Sequence, residues 1–114
     1  MDVAIRFPEE DDDATIRSLC EWLRRDPDVS REVTVRLLGA PAGPEDQGGA
    51  FDAIQLVFTD LVSLANVLIA YGAWRTTRTS KPKAEFERDG RRVEDSDGSD
   101  DSRQRVIDAL SENE

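Results

Sequence analysis

The residues of this sequence that could do chemistry are two acidic runs and one cysteine, and there is no histidine among the 114 residues. The acidic run at residues 9–13 could bind a divalent cation, but a solvated segment that also caps the next helix is the better interpretation. The run at residues 95–101 resembles a calcium loop. However, its glycine has the wrong offset for an EF-hand, and no bidentate glutamate follows. Neither run therefore predicts a metal site.

Nucleophilic catalysis has no support in the residue types. Without histidine, neither a Ser-His nor a Cys-His pair can be built, and zinc loses its commonest nitrogen ligand. Cys20 falls on the apolar face of a predicted helix, so we expect it to pack in the core. Gly48-Gly49 does not amount to a phosphate-binding loop, and no pair of carboxylates is singled out. We therefore predict no catalytic residues, no cofactor and no enzymatic activity.

The charge of the chain argues against a nucleic-acid partner. Its formal net charge is −10, whereas phosphate binding depends on lysine and arginine neutralising a polyanion. One stretch, residues 75–92, is locally basic, with seven basic and three acidic residues. A single cysteine permits no internal disulfide, and the first residues lack the pattern of a signal peptide, so we expect a cytoplasmic location.

The elements that would position these residues follow from hydrophobic periodicity. Val3, Ile5 and Phe7 alternate with other residues, which predicts a strand that ends at Pro8. An amphipathic helix over residues 16–23 follows, capped by Asp12 or Asp13 and ended near Asp26-Pro27. A second strand runs over residues 33–37. A strand-helix-strand unit of this length is compatible with a right-handed parallel crossover.

Four glycines and two prolines among residues 39–49 indicate a loop near 39–50. Further on, Asp89-Gly90 is a strong two-residue hairpin signal, and it predicts the pairs Arg88–Arg91, Glu87–Arg92 and Phe86–Val93. An acidic connector near 95–101 then leads to a last helix. This helix starts at about residue 102, has Val106, Ile107 and Leu110 on one side, and carries a capping box formed by Asp101 and Gln104.

Residues 51–74 are mostly apolar, and we interpret them as one long helix of about 36 Å. Such a helix has more apolar surface than a small domain readily buries, and three roles for it are open. It could be buried on the sheet, span a membrane, or form an interface with a partner or a second copy. A span is disfavoured because it requires Asp60 inside the bilayer and would separate strands that need one another. The predicted fold is a single α+β domain over residues 1–114, with two layers and a four-stranded mixed sheet.

The end of this long helix is the predicted partner interface. Aromatic residues followed by arginines suit an interfacial anchor. The candidate residues are Leu64, Leu68, Tyr71, Trp74, Arg75 and Arg78. The surplus apolar surface also predicts a homodimer or a higher oligomer. A membrane-surface module, with Tyr71, Trp74 and the basic stretch against anionic lipid, is the less favoured alternative.

Several short motifs resemble a known family. These are Leu19, Trp22-Leu23-Arg24-Arg25-Asp26-Pro27, Gly48-Gly49 before an apolar helix that closes on Trp74, and the stretch from Glu87 to Glu94. In these the chain resembles the effector-associated constant component family, type one, small bacterial proteins. The resemblance implies a non-enzymatic adaptor or regulatory component of a bacterial conflict or immune system. Its partner would be an effector encoded nearby, such as a trypsin-like peptidase or a caspase-like protein.

Overall fold

The structure is a computed structural model, and it describes residues 1–8, 13–39, 51–78, 83–95 and 99–111. These residues form a five-stranded antiparallel sheet that is covered by helices. The α+β class is confirmed, but the sheet has five strands rather than four. The elements are β1 (Asp2–Arg6), α1 (Ala14–Arg25), α2 (Pro27–Glu32), β2 (Thr34–Gly39), β3 (Phe51–Val57), α3 (Leu61–Thr76), β4 (Ala84–Arg88), β5 (Arg91–Asp95) and α4 (Asp100–Ser111).

The additional strand is β3, and it corrects the prediction of one helix over residues 51–74. Ile54, Leu56 and Phe58 are buried while Gln55 and Val57 are half-buried, which is the period of a strand. The helix begins only at Leu61. There the Asp60 carboxylate accepts a hydrogen bond from the Ser63 amide at 2.9 Å and so caps the first turn. At 16 residues, α3 is about 24 Å long.

The strand order is β2-β3-β1-β4-β5, and every neighbouring pair is antiparallel. The prediction of a mixed sheet is therefore wrong, because the described strands form a purely antiparallel sheet. Because β1 and β2 both run antiparallel to β3, they are parallel to each other, yet they do not pair. The connection through α1 and α2 thus joins two parallel strands with a third strand inserted between them.

The predicted hairpin is confirmed in its register. Phe86 pairs with Val93, Glu87 with Arg92, and Arg88 with Arg91. Asp89 and Gly90 both have positive φ, 53° and 85°, which is the backbone of a type I′ turn. On the sheet face away from the core, the Glu87 carboxylate lies 3.7 Å from Arg92 and also pairs with Arg6 on β1.

The core lies between the sheet and the helices. Cross-strand partners such as Val3–Leu56, Val35–Leu56 and Ile5–Phe86 point to the same face, and all are buried. On this face α1 lies against β2 and β3, α4 lies against β4 and β5, and α3 contacts α1, α2 and α4. The arrangement gives two layers, as the sequence predicts.

Two helix starts differ from the sequence prediction. The short helix α2 was not predicted. Its start, with Asp26 accepting from the Asp28 and Val29 amides and Pro27 in the first turn, follows the usual rules. The last helix is capped by the Ser99 hydroxyl, which accepts from the Ser102 amide at 3.1 Å, rather than by the predicted capping box.

Two predicted segments fall wholly or partly outside the described residues. Of the loop near 39–50, only Gly39 is described, as the last residue of β2. The acidic connector near 95–101 is described only at its ends. Asp95 is the buried last residue of β5, and Asp100 begins α4.

Candidate functional site: the groove between α1 and α3

Four of the six predicted interface residues lie in the core. Leu64, Leu68, Tyr71 and Trp74 are each at most 2% exposed. The reason is the corrected secondary structure. Helix α3 is shorter than predicted and the sheet has one strand more, so the fold can cover one whole side of the helix. These four side chains therefore stabilise the fold and are not offered to a partner by the described structure.

The two predicted arginines are half-buried and belong to the helix–helix contact. Arg78 lies over the Trp74 ring at 5.1 Å from its centroid and donates to the Ser18 hydroxyl at 3.3 Å. The Trp74 indole N–H donates to the same hydroxyl at 3.0 Å. Arg75 lies beside the buried Tyr71 ring. Ser18 therefore joins α1 to the end of α3, and Arg78 contributes to that joint.

The Tyr71 hydroxyl is an unusual polar group in the described core. Its ring is packed edge-on against Phe86, with centroids 5.6 Å apart, and tilted against Trp74 at 6.0 Å. The hydroxyl oxygen is buried and has no hydrogen-bond partner of ordinary geometry among the described residues. Burial, reinforced by the Asp95 carboxylate, raises the pKa of Tyr71 to about 12, although Arg75 and the backbone of Ala84 favour the ionised form slightly.

The opposite side of α3 is apolar and exposed. Val62 is 69% exposed and Ile69 is 52% exposed. These residues are seven positions apart, so they lie on one face about two turns from each other. Ala73, one turn beyond Ile69, is also exposed. We call Val62, Ile69 and Ala73 the apolar stripe of α3. The sequence predicted an exposed apolar surface on this helix, but it placed that surface on other residues.

A groove runs between this stripe and α1. It has a volume of about 340 Å³ and is lined by Trp22, Arg25, Asp26, Ile69, Ala70 and Ala73. We call these six residues the α1–α3 groove. Trp22 forms one wall and remains 37% exposed. A second depression of about 350 Å³ on α1 shares Trp22 and Arg25 and continues along Arg17, Ser18 and Glu21. One exposed tryptophan thus stands at the centre of a continuous surface.

The side chains that line the groove and the adjoining depression balance in charge, because Arg17 and Arg25 are matched by Glu21 and Asp26. The third arginine of α1 has a structural role. Arg24 donates to the Val35 carbonyl at 3.0 Å and fastens α1 to β2. Arg17 and Arg25 have the more exposed side chains, at 55% and 80%.

Trp22 is the functional candidate that residue-by-residue reasoning missed, since it entered the sequence prediction only as part of a motif. A signal was present. Trp22 lies on the same side of α1 as Ser18 and Arg25, at the border between the polar face and the buried face that carries Leu19. A tryptophan at the edge of the polar face of an amphipathic helix indicates a surface with a purpose other than the core.

The groups considered for chemistry are placed as follows. Cys20 is buried, as predicted, and burial raises the pKa of its thiol. The acidic run at residues 9–13 lies outside the described residues except for Asp13, which occupies the N-cap position of α1 and pairs with Arg17. Within the described ranges, no group of three or more cysteine, aspartate and glutamate side chains is placed to hold a metal ion.

Among the residues that the structure describes, no helix combines the length and the apolar character needed to cross a bilayer.

Neither the curated proteins nor the solved structures give a match. A family model does match: Effector Associated Constant Component 1, over residues 8–112. The match spans α1 to α4, and with them the α1–α3 groove. The chain is therefore a member of the Effector Associated Constant Component 1 family.

Proposed function

We propose that this protein is a non-enzymatic adaptor or regulatory component of a bacterial conflict system that acts by binding an effector protein encoded nearby. Family membership implies a component of an effector-associated conflict system. The further step, from component to adaptor, is supported by one observation above all. The described surface carries an apolar groove with a half-exposed isoleucine and an exposed tryptophan, and such patches on small proteins usually mark interaction sites.

The composition of the groove suits protein contacts. Tryptophan and arginine are the residues most enriched among those that dominate binding energy, and both stand side by side in Trp22 and Arg25. The rigid framework beneath them also favours binding, because Trp74, Ser18 and Arg78 fix the two helices to each other. A preformed surface loses little freedom on association.

The membrane-surface alternative loses two of its predicted anchors and keeps only the basic stretch. Tyr71 and Trp74, its predicted anchors, are buried. The predicted homodimer likewise rested on the apolar surplus of a 24-residue helix, and the described helix of 16 residues exposes a smaller apolar area. We propose a cytoplasmic protein whose principal partner is a different chain.

The test is co-purification with the effector encoded beside this protein. The two proteins are co-expressed with an affinity tag on one, and the complex is examined by size-exclusion chromatography with light scattering. We expect a complex of defined stoichiometry. If both proteins are folded, as judged by circular dichroism, and no complex forms at micromolar concentrations, the adaptor proposal is wrong.

A further inference from the structure

We propose that a second copy of this chain covers the apolar stripe of α3, in a dissociable two-fold dimer whose axis passes beside Ile69. The dimer goes beyond the proposed function, because it forms without an effector and gives the exposed side of α3 a partner of known sequence. Two independent features of the structure support a second copy. They are the order of side-chain sizes along α3 and the order of charges along α1.

The exposed side of α3 carries no charge over almost its whole length. From Leu61 to Trp74 every residue is uncharged, in a chain in which 35% of the residues are charged. Val62 and Ile69 are the two most exposed large apolar side chains among the described residues, and both lie on this side. An uncharged, apolar face of this kind marks a contact with another macromolecule.

The side chains of this face are arranged almost symmetrically about Ile69. Ala65 and Ala73 lie four positions before and after it. Val62 and Thr76, which have nearly the same shape, lie seven positions before and after it. An antiparallel pair of α3 helices with a two-fold axis beside Ile69 therefore sets isoleucine against isoleucine, alanine against alanine, and valine against threonine. The small alanines allow the two helix axes to approach closely.

Helix α1 runs antiparallel to α3 beside this face. The Arg78 guanidinium donates to the Thr15 hydroxyl at 3.5 Å, and the Trp74 indole donates to the Ser18 hydroxyl at 3.0 Å. Further along α1, Trp22 lines the groove together with the middle of α3. Each step towards the end of α1 is therefore matched by a step towards the start of α3.

This alignment places Arg25 and Glu21 at equal distances on either side of Ile69. Arg25 is level with Val67, two positions before Ile69, and Glu21 is level with Tyr71, two positions after it. A two-fold axis beside Ile69 exchanges these two levels, so Arg25 of each copy lies opposite Glu21 of the other. The exposed pair that these two side chains form within one chain, at 3.0 Å, stays in place. The four charges then alternate in sign, and the contact requires no ion pair of the monomer to break.

The size of this contact sets its strength. The paired segment from Val62 to Thr76 is about 21 Å long, and a helix with its side chains is about 10 Å wide. This footprint falls well short of the roughly 800 Å² per partner of a standard stable interface. The dimer is therefore dissociable, with an expected dissociation constant on the order of 10 µM. The same face stays accessible to a different partner.

The first measurement is sedimentation velocity of the full chain from about 1 to 300 µM, concentrations that bracket the expected dissociation constant. We expect the average mass to rise from that of a monomer towards that of a dimer. Ile69→Ser should weaken the association about tenfold or more, and Ile69→Glu, which sets two carboxylates beside the axis, should abolish it. Circular dichroism and thermal unfolding confirm that each variant is folded. A chain that stays monomeric over the whole range would overturn the inference.

Single added cysteines locate the axis. The native Cys20 is buried, so an added surface cysteine is the one that a mild oxidant reaches. Ile69→Cys should give a disulfide-linked dimer, because the axis brings the two copies of this position together. Val62→Cys is the matched control. It is exposed on the same face, but its two copies lie about 21 Å apart, whereas a disulfide needs Cα atoms within about 7 Å. Equal cross-linking of the two variants would overturn the inference.

Charge reversal tests the pairing across the axis. Arg25→Glu and Glu21→Arg should each weaken the association, and the double variant should restore it, because the reciprocal pairs form again with their signs exchanged. Arg36→Glu is the matched control and should leave the association unchanged. It changes the net charge as Arg25→Glu does, but Arg36 is exposed on β2 and points to the sheet face away from the helices. A double variant as weak as the single ones, or an equal effect of Arg36→Glu, would contradict the proposed pairing and with it the dimer.

These outcomes separate the dimer from the adaptor role. If the chain is monomeric throughout but forms the effector complex, the dimer is wrong and the adaptor role stands. If the chain dimerises through Ile69 but no effector complex forms, only the adaptor role is refuted. A monomeric chain that binds phosphatidylserine vesicles, and loses that binding in Ile69→Ser, would assign this face to a membrane and would also overturn the dimer.

Discussion

Replacing Tyr71 by phenylalanine should leave the protein at least as stable as the wild type at neutral pH. A buried tyrosine usually forms a hydrogen bond that the substitution removes, but the Tyr71 hydroxyl has no bond of ordinary geometry to any described residue. An unsatisfied buried polar group costs about 1–3 kcal/mol. Its removal offsets the small void left behind, and the ring contacts with Phe86 and Trp74 are retained. We expect a change in the free energy of unfolding between zero and about +1 kcal/mol.

The same hydroxyl gives this comparison a pH dependence. The pKa of Tyr71 is about 12 in the folded protein, whereas an unfolded chain releases the proton near pH 10. The folded protein favours the neutral hydroxyl. The stabilisation that results is therefore complete below pH 10, and it is lost as the pH rises towards 12. The free energy of unfolding should then fall by about 1.4 kcal/mol per pH unit in that window, a slope that Tyr71→Phe should lack.

The assay is direct because Tyr71 is the only tyrosine in the chain. Ultraviolet difference absorbance of tyrosinate follows this one group, while circular dichroism at each pH shows whether the protein is still folded. Guanidinium unfolding of wild type and Tyr71→Phe at neutral pH and near pH 11 gives the stabilities. Tyrosinate that forms around pH 10 in a folded protein would refute the reasoning. So would a loss of more than about 1 kcal/mol in Tyr71→Phe at neutral pH.

Two further predictions concern helix ends. Asp60→Ala removes the carboxylate that accepts from the Ser63 amide, and we expect a loss of about 1 kcal/mol, seen as a melting temperature lower by about 4–8 °C. Asp60→Asn, which keeps a capping oxygen, is the control, and an equal loss in both would contradict the capping role. Arg88→Met removes a guanidinium that is 12% exposed and donates to the Leu110 carbonyl at the end of α4. We expect a loss of about 2 kcal/mol in chemical unfolding, larger than that of Arg91→Met. Arg91 is exposed and its contact with the carbonyl of α4 is longer, at 3.3 Å.

Local signals account for the elements that could be predicted. The hairpin follows from Asp89-Gly90, because the two-residue turn fixes the register of both strands. The last helix follows from Val106 and Leu110 at a spacing of four. Each of these patterns is contained in a few consecutive residues. Their interpretation does not depend on what the rest of the chain does.

The strand β3 could not be predicted in the same way, because its environment is non-local. It lies between β2 and β1, so it pairs on both sides, and Ala53 and Ile54 are both buried although they point to opposite faces. Apolar residues on both faces, here Ala53 and Val57, weaken the period of two, so the segment merges with the apolar run of α3 that follows. The local clue was Asp60, a capping residue inside an apolar run. It indicates that a helix begins there rather than continues through it.

The burial of four predicted interface residues escaped sequence analysis for a related reason. Apolar character alone does not separate a core residue from an interface residue, and Tyr71 and Ile69 belong to the same mostly apolar run. Their exposures differ because the two sides of α3 meet different neighbours: Tyr71 faces Phe86 on the sheet, while Ile69 faces the recess beside Trp22. That distinction required the number of strands and the position of α1, and both are properties of the whole fold.

The two sides of α3 should consequently respond to substitution in opposite ways. Truncating Leu68, which is 2% exposed, to alanine should cost about 2–5 kcal/mol of stability, enough to unfold much of a small domain. Truncating Ile69, its neighbour in sequence and 52% exposed, should change stability by only about 0.5 kcal/mol. A loss of partner binding in Ile69→Ser therefore reports on the groove, whereas a loss in Leu68→Ala reports only on folding. Because Ile69 is exposed and its truncation changes stability little, binding data on Ile69→Ser can be read without a large correction for stability, whereas data on Leu68→Ala cannot.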